Sequence, residues 1–458
     1  MKKYLSVILL MSLTLALLLM ACGGVDPVAD TPPAADTAAD DDADVPTGDE
    51  EEIVITFLNM WINPEEDANT RAYTARMADF REDFPHVTVN VESIAHDEYE
   101  TVMMIYVASG DVPDVFQAKG TMAAQLAQDG LVHPAQTLLD LIPGWEDEFK
   151  DGVFEDFLYG DQPWAIPFQI GNNHNVYWNS DIFASVGIYE FPDTWDGFIE
   201  AIETLRDAGY YPLALGNREQ WPAPSLTLNL LTYRFNPPEW YYSLRDGYGA
   251  QFTDPGFIAS VELFADLVEM GAYNPDFNSI DKSQSRTLYF TGQAAMIVDG
   301  FWGVAVMEAE APEDILAATR IAAFPAVPVE MGGTGDGRVN QAASGWAFFT
   351  SSTNTGDRLQ AIANMLHYLS GSEFANISVS YSGMPAAHPT VVDENAASPL
   401  YLELLRSTAE MQFAPVFDVQ LPPNVVDAFY TNLQDVLIGL MTPERYAELL
   451  QIELDASR

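Results

Sequence analysis

A chain of 458 residues with 48% hydrophobic and 12% aromatic content has enough apolar mass for two sizeable cores. Its 68 acidic residues against 19 basic give a net charge of -49, a surface that repels nucleic acid and anionic membrane faces and so excludes a nucleic-acid partner. A single cysteine can form no intramolecular disulfide, which leaves stability to packing alone.

The first element is an export signal. Lys2 and Lys3 precede an apolar run from Tyr4 to Met20, and Leu19-Met20-Ala21-Cys22 closes it. Those four residues resemble a bacterial lipobox, which implies that residues 1–21 are a signal peptide and that Cys22 receives the lipid. The run is short for a membrane span, so this resemblance implies a membrane attachment through lipid alone. From the lipidated cysteine, residues 22–52 form the next unit. Residues 23 to 52 hold no aromatic or basic side chain and are predicted to be a disordered, self-repelling acidic tether. Asp40, Asp42, Asp44 and Glu51 match calcium-loop positions, but Val45 stands where the turn needs glycine and Pro46 follows it. No calcium site is read there.

Order starts at Ile53, where the β-branched run to Trp61 predicts a buried parallel strand. Arg71 to Phe84 has helical spacing, with Ala75, Met77, Ala78, Phe80 and Phe84 as a stripe that Pro85 ends. Val87 to Glu92 alternates as a second strand, Tyr99 to Ala108 is helical up to Gly110, and Pro113 to Phe116 is a third strand. This alternation predicts an α/β fold with a parallel sheet covered on both faces. Ligands bind beyond the carboxyl ends of such strands, where Trp61, Asn63, Gln117 and Lys119 stand. Further on, Met296 to Gly300 reads as a buried strand that releases Asp299 to Trp302 at its end.

Several blocks occur in a fixed order. They include Phe84 to Glu92, Ala108 to Phe116, Gly160 to Pro167, Tyr177 to Phe183, Phe191 to Trp195 and Pro212 to Gly216. Phe290 with Gly292 and Ala294 to Met296, Gly300 to Trp302, Ser344 to Trp346 and Gly383 to Pro385 continue the order. Together they resemble the extracellular solute-binding proteins of ABC transporters, in the carbohydrate-binding, maltose-binding-protein-like branch. The resemblance runs from residue 53 to 455, with Ser180 where that family usually has lysine. It implies a two-lobed periplasmic-binding-protein-like fold with a cleft between the lobes and a multi-strand hinge. Lobe one would take residues 53–168 and 325–380, and lobe two 175–320 and 385–455.

The implied function is that of a monomeric, lipid-anchored receptor that captures a small carbohydrate by closing its cleft and delivers it to the permease subunits of an ABC transporter. Sugars need aromatic platforms and side chains that pair hydroxyls. Trp302 is the leading platform because the family's GxW tryptophan commonly stacks on sugar, and Trp61 and Trp221 follow. The polar candidates are Gln169, Asn172 and Asn173 past the crossing strand, with Asp299, Asp97, Gln117 and Ser344. Trp346 is expected to pack, as are Trp145, Trp164, Trp178, Trp195 and Trp240. No metal site or cofactor is expected: the six histidines show no helical pairing, and the glycine cluster Gly332 to Gly337 lacks a phosphate loop's lysine. The alternatives are the same receptor role for another solute, such as glycerol phosphate, a polyamine or a peptide, and a secreted glycoside hydrolase with paired carboxylates.

Overall fold

The computed structural model describes residues 52–62, 68–171, 174–384 and 387–458. The segment expected as an export signal, Cys22 and the expected tether up to Glu51 lie outside the described residues, as do Asn172 and Asn173.

Strand β1 (Ile53–Asn59) pairs in parallel with β2 (Val87–Ser93) and β3 (Val115–Lys119). The connections are helix α1 (Ala68–Asp83) and helix α2 (His96–Ser109). Along β1, Ile55 and Phe57 join the core under α1, while Leu58 joins Tyr99 of α2 in a second core. Both sheet faces are therefore covered, as the sequence predicts. The buried stripe of α1 is Ala72, Tyr73, Met77 and Phe80. Ala75 and Ala78, expected on it, are exposed, because Tyr73 and Met77 four residues apart set the inward face. Gly110 closes α2 in the left-handed region at φ 72, its N–H donating to the Val107 carbonyl.

After β4 (Ile166–Pro167) the chain leaves the first sheet and builds a second one with β5 (Asn175–Asn179), β6 (Tyr211–Ala214), β7 (Ala294–Asp299) and β8 (Thr319–Ala322). Its order is β8-β5-β7-β6, and only β6 and β7 run parallel. Every residue of β7 is buried, because its side chains enter two cores on opposite faces. The helix before it, α3 (Lys282–Phe290), starts with a capping box in which the Asp281 carboxylate accepts from the Gln284 N–H.

The chain then returns through β9 (Val339–Gln341) to β10 (Trp346–Thr350), which inserts between β3 and β4, antiparallel to both. The first sheet is thus mixed, a correction to the all-parallel expectation. β10 arrives from the second sheet and so traverses the first in the reverse direction. Helices α4 (Gly356–Ser370) and α5 (Ser372–Ser380) cover the first sheet beside α1. β11 (Gln412–Ala414) pairs with β9, and α6 (Pro423–Leu437) and α7 (Pro443–Ala456) complete the larger core of the second half.

The family layout assigns residues 325–380 to lobe one, but Val327 and Val339 pack beside Phe324 into the second sheet's core. Arg234 fixes them there. It is 1% exposed, donates through Nε to the Phe324 and Pro325 carbonyls at 3.2 and 3.1 Å, and through Nη1 to Val339 at 2.7 Å. Burial lowers its pKa to about 10. A buried guanidinium needs many acceptors at once, and among the described residues the backbone of the returning segment supplies them. The chain rejoins the first sheet at Trp346.

Candidate functional site

A cavity of about 510 Å³ is lined by residues attached to both sheets, a volume typical of small-molecule sites. It lies beyond the carboxyl ends of β1, β3 and β7. Four aromatic rings form a row along it. Trp346 of β10 lies 5.8 Å from His96 at the start of α2, His96 lies 6.0 Å from Trp221, and Trp221 lies 6.4 Å from Trp302. The first two rings belong to the first sheet's side and the last two to the second's.

Each ring has a local reason for its place. Trp346 is paired across the ladder with Lys119, so both side chains stand at the same sheet end. Trp302 starts the helical turn after β7, and its indole lies across Gly300. A Cβ at Gly300 would fall 2.2 Å from two of the ring carbons, so only glycine leaves room. Trp221 ends a tight loop in which Asn217 accepts from the Ala223 N–H at 2.9 Å and Gln220 adopts φ 68. Positive φ in a non-glycine residue marks stored strain, and such residues cluster at binding sites. The Trp221 indole N–H is buried and has no hydrogen-bond partner among the described residues.

Charged groups flank the row. On the first side, Lys119 Nζ lies 2.7 Å from Glu100 and 3.8 Å from Asp418. Burial alone would lower its pKa, but the two carboxylates hold it above the usual lysine value. Asp418 also accepts from Ser225 Oγ at 3.0 Å and from the Tyr430 hydroxyl at 2.6 Å. On the second side, Arg286 Nε donates to Asp299 Oδ2 at 2.9 Å, and Lys282 Nζ lies 3.3 Å from the same oxygen. Burial works to raise the Asp299 pKa, yet the two cations bring it below the carboxylate range. Lys282 is instead pushed down to about 8 by burial, because Arg286 holds the closer bond to Asp299 and repels a second positive charge. His174, 6.1 Å from Trp302, is neutral at pH 7, since burial lowers its pKa to about 4.

Of the sequence-predicted residues, Trp61, Gln169, Trp221 and Trp302 line the cavity. Trp61 does so only at an edge. It is 5% exposed, with Tyr73, Phe168, Phe348 and Phe374 at 5.1 to 5.8 Å. Gln169 is already engaged, accepting from Asn69 at 2.8 Å and donating to the Ser344 carbonyl at 3.3 Å.

Three expected residues do not reach the wall. Gln117 is fully buried and accepts from the Met60 N–H, tying β3 to the end of β1. Ser344 is 2% exposed, with its hydroxyl on the Val153 carbonyl and its N–H on Asp156. Asp299 sits behind Lys282 and Arg286, and those two line the cavity in its place. Asp97 lies in the first turn of α2; its side chain, like Asn172 and Asn173, falls outside the described residues.

Sequence reasoning missed His96, Lys282, Arg286 and Asp418, placed Lys119 at a strand end without counting it as a ligand contact, and assigned Trp346 to packing. One signal was available. In a chain with 19 basic residues, Lys282 and Arg286 stand four apart just before a buried strand, a spacing that puts both on one helix face. Among the described residues no three His, Asp or Glu side chains converge as a metal site would need.

The model of the bacterial extracellular solute-binding proteins matches residues 63–367. The chain is 22% identical over 240 residues to an uncharacterized ABC transporter extracellular-binding protein of Pyrococcus horikoshii, covering 50% of this chain and 52% of that protein. It is 20% identical over 269 residues to the multiple sugar-binding protein of Streptococcus mutans, covering 58% and 61%. The chain thus spans between about half and about three-fifths of the length of these curated relatives. Among solved structures, a chitin oligosaccharide binding protein superimposes with a TM-score of 0.79 at 22% identity, over 88% of this chain and 98% of that one. Likeness at that identity establishes the two-lobed α/β fold.

Proposed function

The chain belongs to the bacterial extracellular solute-binding proteins, and from that premise we propose that it is a receptor that captures a sugar or oligosaccharide between its lobes and delivers it to an ABC permease. The observation behind this reading is the aromatic row. Trp346 and His96 come from one side of the cavity, Trp221 and Trp302 from the other. A flat ring offers the apolar face of a sugar a platform, and polar side chains beside it can pair hydroxyls. Because the row crosses between the sheets, a ligand lying on it touches both lobes, which is the condition for hinge closure around it. The names of the Streptococcus mutans relative and of the chitin oligosaccharide binding protein support a sugar as the solute.

Binding with closure makes and breaks no bond, so the ligand leaves as it entered. The lipobox-like residues up to Cys22 and the acidic stretch behind them support a protein held at the cell membrane by lipid. The test is a thermal-melt screen against a glycan panel, followed by recovery of the ligand. A true ligand at a hundredfold over Kd stabilises by about 2.7 kcal/mol and is recovered intact after long incubation. Release of shorter sugars would replace this reading with a glycoside hydrolase.

A further inference from the structure

We infer that the cavity is built for a sugar that carries a carboxylate, received by the terminal nitrogens of Arg286 with Lys282 beside them; the inference rests on the sugar reading above. Acidic residues outnumber basic ones 68 to 19 along the chain. Around the cavity the imbalance nearly disappears: Lys119, Lys282 and Arg286 face Glu219, Asp281, Glu310 and Asp418.

The three cations are not equivalent. Lys119 is held by Glu100 and Asp418. Arg286 spends only Nε, on Asp299, and its two terminal NH2 groups have no hydrogen-bond partner among the described residues, although the side chain is 14% exposed. Lys282, 11% exposed, donates to the Val298 carbonyl at 2.8 Å and shares Asp299 with Arg286. One buried carboxylate thus serves two half-buried cations, and the terminal nitrogens of Arg286 at the cavity are left for a ligand to pair.

The unused edge of a guanidinium presents two parallel donors, the spacing of a carboxylate's two oxygens. The surrounding acids limit the ligand's charge. Glu219 accepts from the Lys282 backbone N–H at 3.3 Å, and Glu310 acts on Arg286 through space. A monoanion can pair with the terminal nitrogens of Arg286 and meets about half the repulsion from these two acids that a phosphate dianion would. The platform is correctly placed for such a ligand, since Trp302 follows the carboxylate that holds Arg286 by three residues.

The test is isothermal titration of the purified protein with paired disaccharides, each neutral sugar against its uronate counterpart in the gluco, galacto and manno series, and with hexose 6-phosphates. The expected tightest ligand is a uronate, bound at least about tenfold better than its neutral partner. Its affinity falls between about 50 mM and about 500 mM salt while a neutral sugar's does not. Arg286→Gln lowers uronate affinity by more than about tenfold and flattens that salt dependence, and Arg286→Lys restores part of it. The salt series on the unaltered protein decides the matter even if the variants fold poorly. A neutral sugar or a sugar phosphate as the tightest ligand overturns the carboxylate inference and leaves the receptor reading standing. Binding of no sugar of any kind overturns the sugar reading itself.

Discussion

The ends of β1 and β7 are written alike and behave differently. Each is an apolar strand whose carboxyl end is buried, and each is followed within three residues by a tryptophan that lines the cavity. Trp61 is enclosed by Tyr73 of α1, Phe168 after β4, Phe348 of β10 and Phe374 of α5. Trp302 is only partly buried. It rests on Gly300, with Trp221 and His174 at 6.4 and 6.1 Å. The strand end brings a tryptophan to the cleft, and what later segments bring beside it decides whether the ring faces protein or ligand. Three of the rings around Trp61 come from residues more than a hundred positions away in sequence.

The largest effect expected from this contrast is at the enclosed ring. Trp61→Ala removes an indole packed by four aromatic neighbours, and large-to-small changes of that kind cost about 3 to 5 kcal/mol of folding stability. Denaturant unfolding should show the loss, while the fraction that still folds should bind sugar almost as well as the original chain. A variant with ordinary stability and poor binding would erase the contrast, because Trp61 would then be a platform too.

The first three strands, the helices between them and the buried strand before Trp302 were legible in the sequence, because each rests on local signals such as Pro85, Gly110 and β-branched runs. The antiparallel entry of β10 and the docking of residues 324–341 on Arg234 were not, since both depend on contacts between segments about a hundred residues or more apart. In the cleft, polarity misled. Gln117 and Asp299 are polar residues at strand ends and Ser344 a polar residue beside Trp346, and each is a buried connector. Trp346 was assigned to packing from its own neighbours alone, although its ladder partner Lys119 puts it at the cavity. Sequence position identifies who arrives at a sheet end, but pairing register and remote packing determine which side chains remain free.

The next effect in size is at the open ring. Trp302→Ala should weaken sugar binding by about 1 to 3 kcal/mol, the range for an aromatic hot spot, with little change in the melting temperature of the unliganded protein. Titration and thermal melts of this one variant separate the two strand ends directly. A large stability loss with unchanged affinity would make Trp302 a second Trp61.

The smallest effect sharpens the comparison by leaving the ring in place and moving it. Gly300 has no left-handed backbone to explain its lack of a side chain, so the space under the indole is the remaining reason for glycine. In Gly300→Ala the new methyl would press on ring carbons 2.2 Å away, and overpacking of that sort costs about 1 to 3 kcal/mol when the surroundings cannot give. Here one edge of the surroundings is the cavity, so the indole can tilt into it and most of the cost should appear in binding. Affinity should fall by roughly threefold to tenfold, about 1 kcal/mol, with a shift in tryptophan emission as the ring changes environment. The double variant Gly300→Ala/Trp302→Ala isolates the cause. If the methyl acts only through the indole, it adds nothing once the indole is gone, and the pair departs from additivity by the full single-variant effect. Additive losses would mean that the strand end itself contacts the ligand and that the ring's position is set elsewhere.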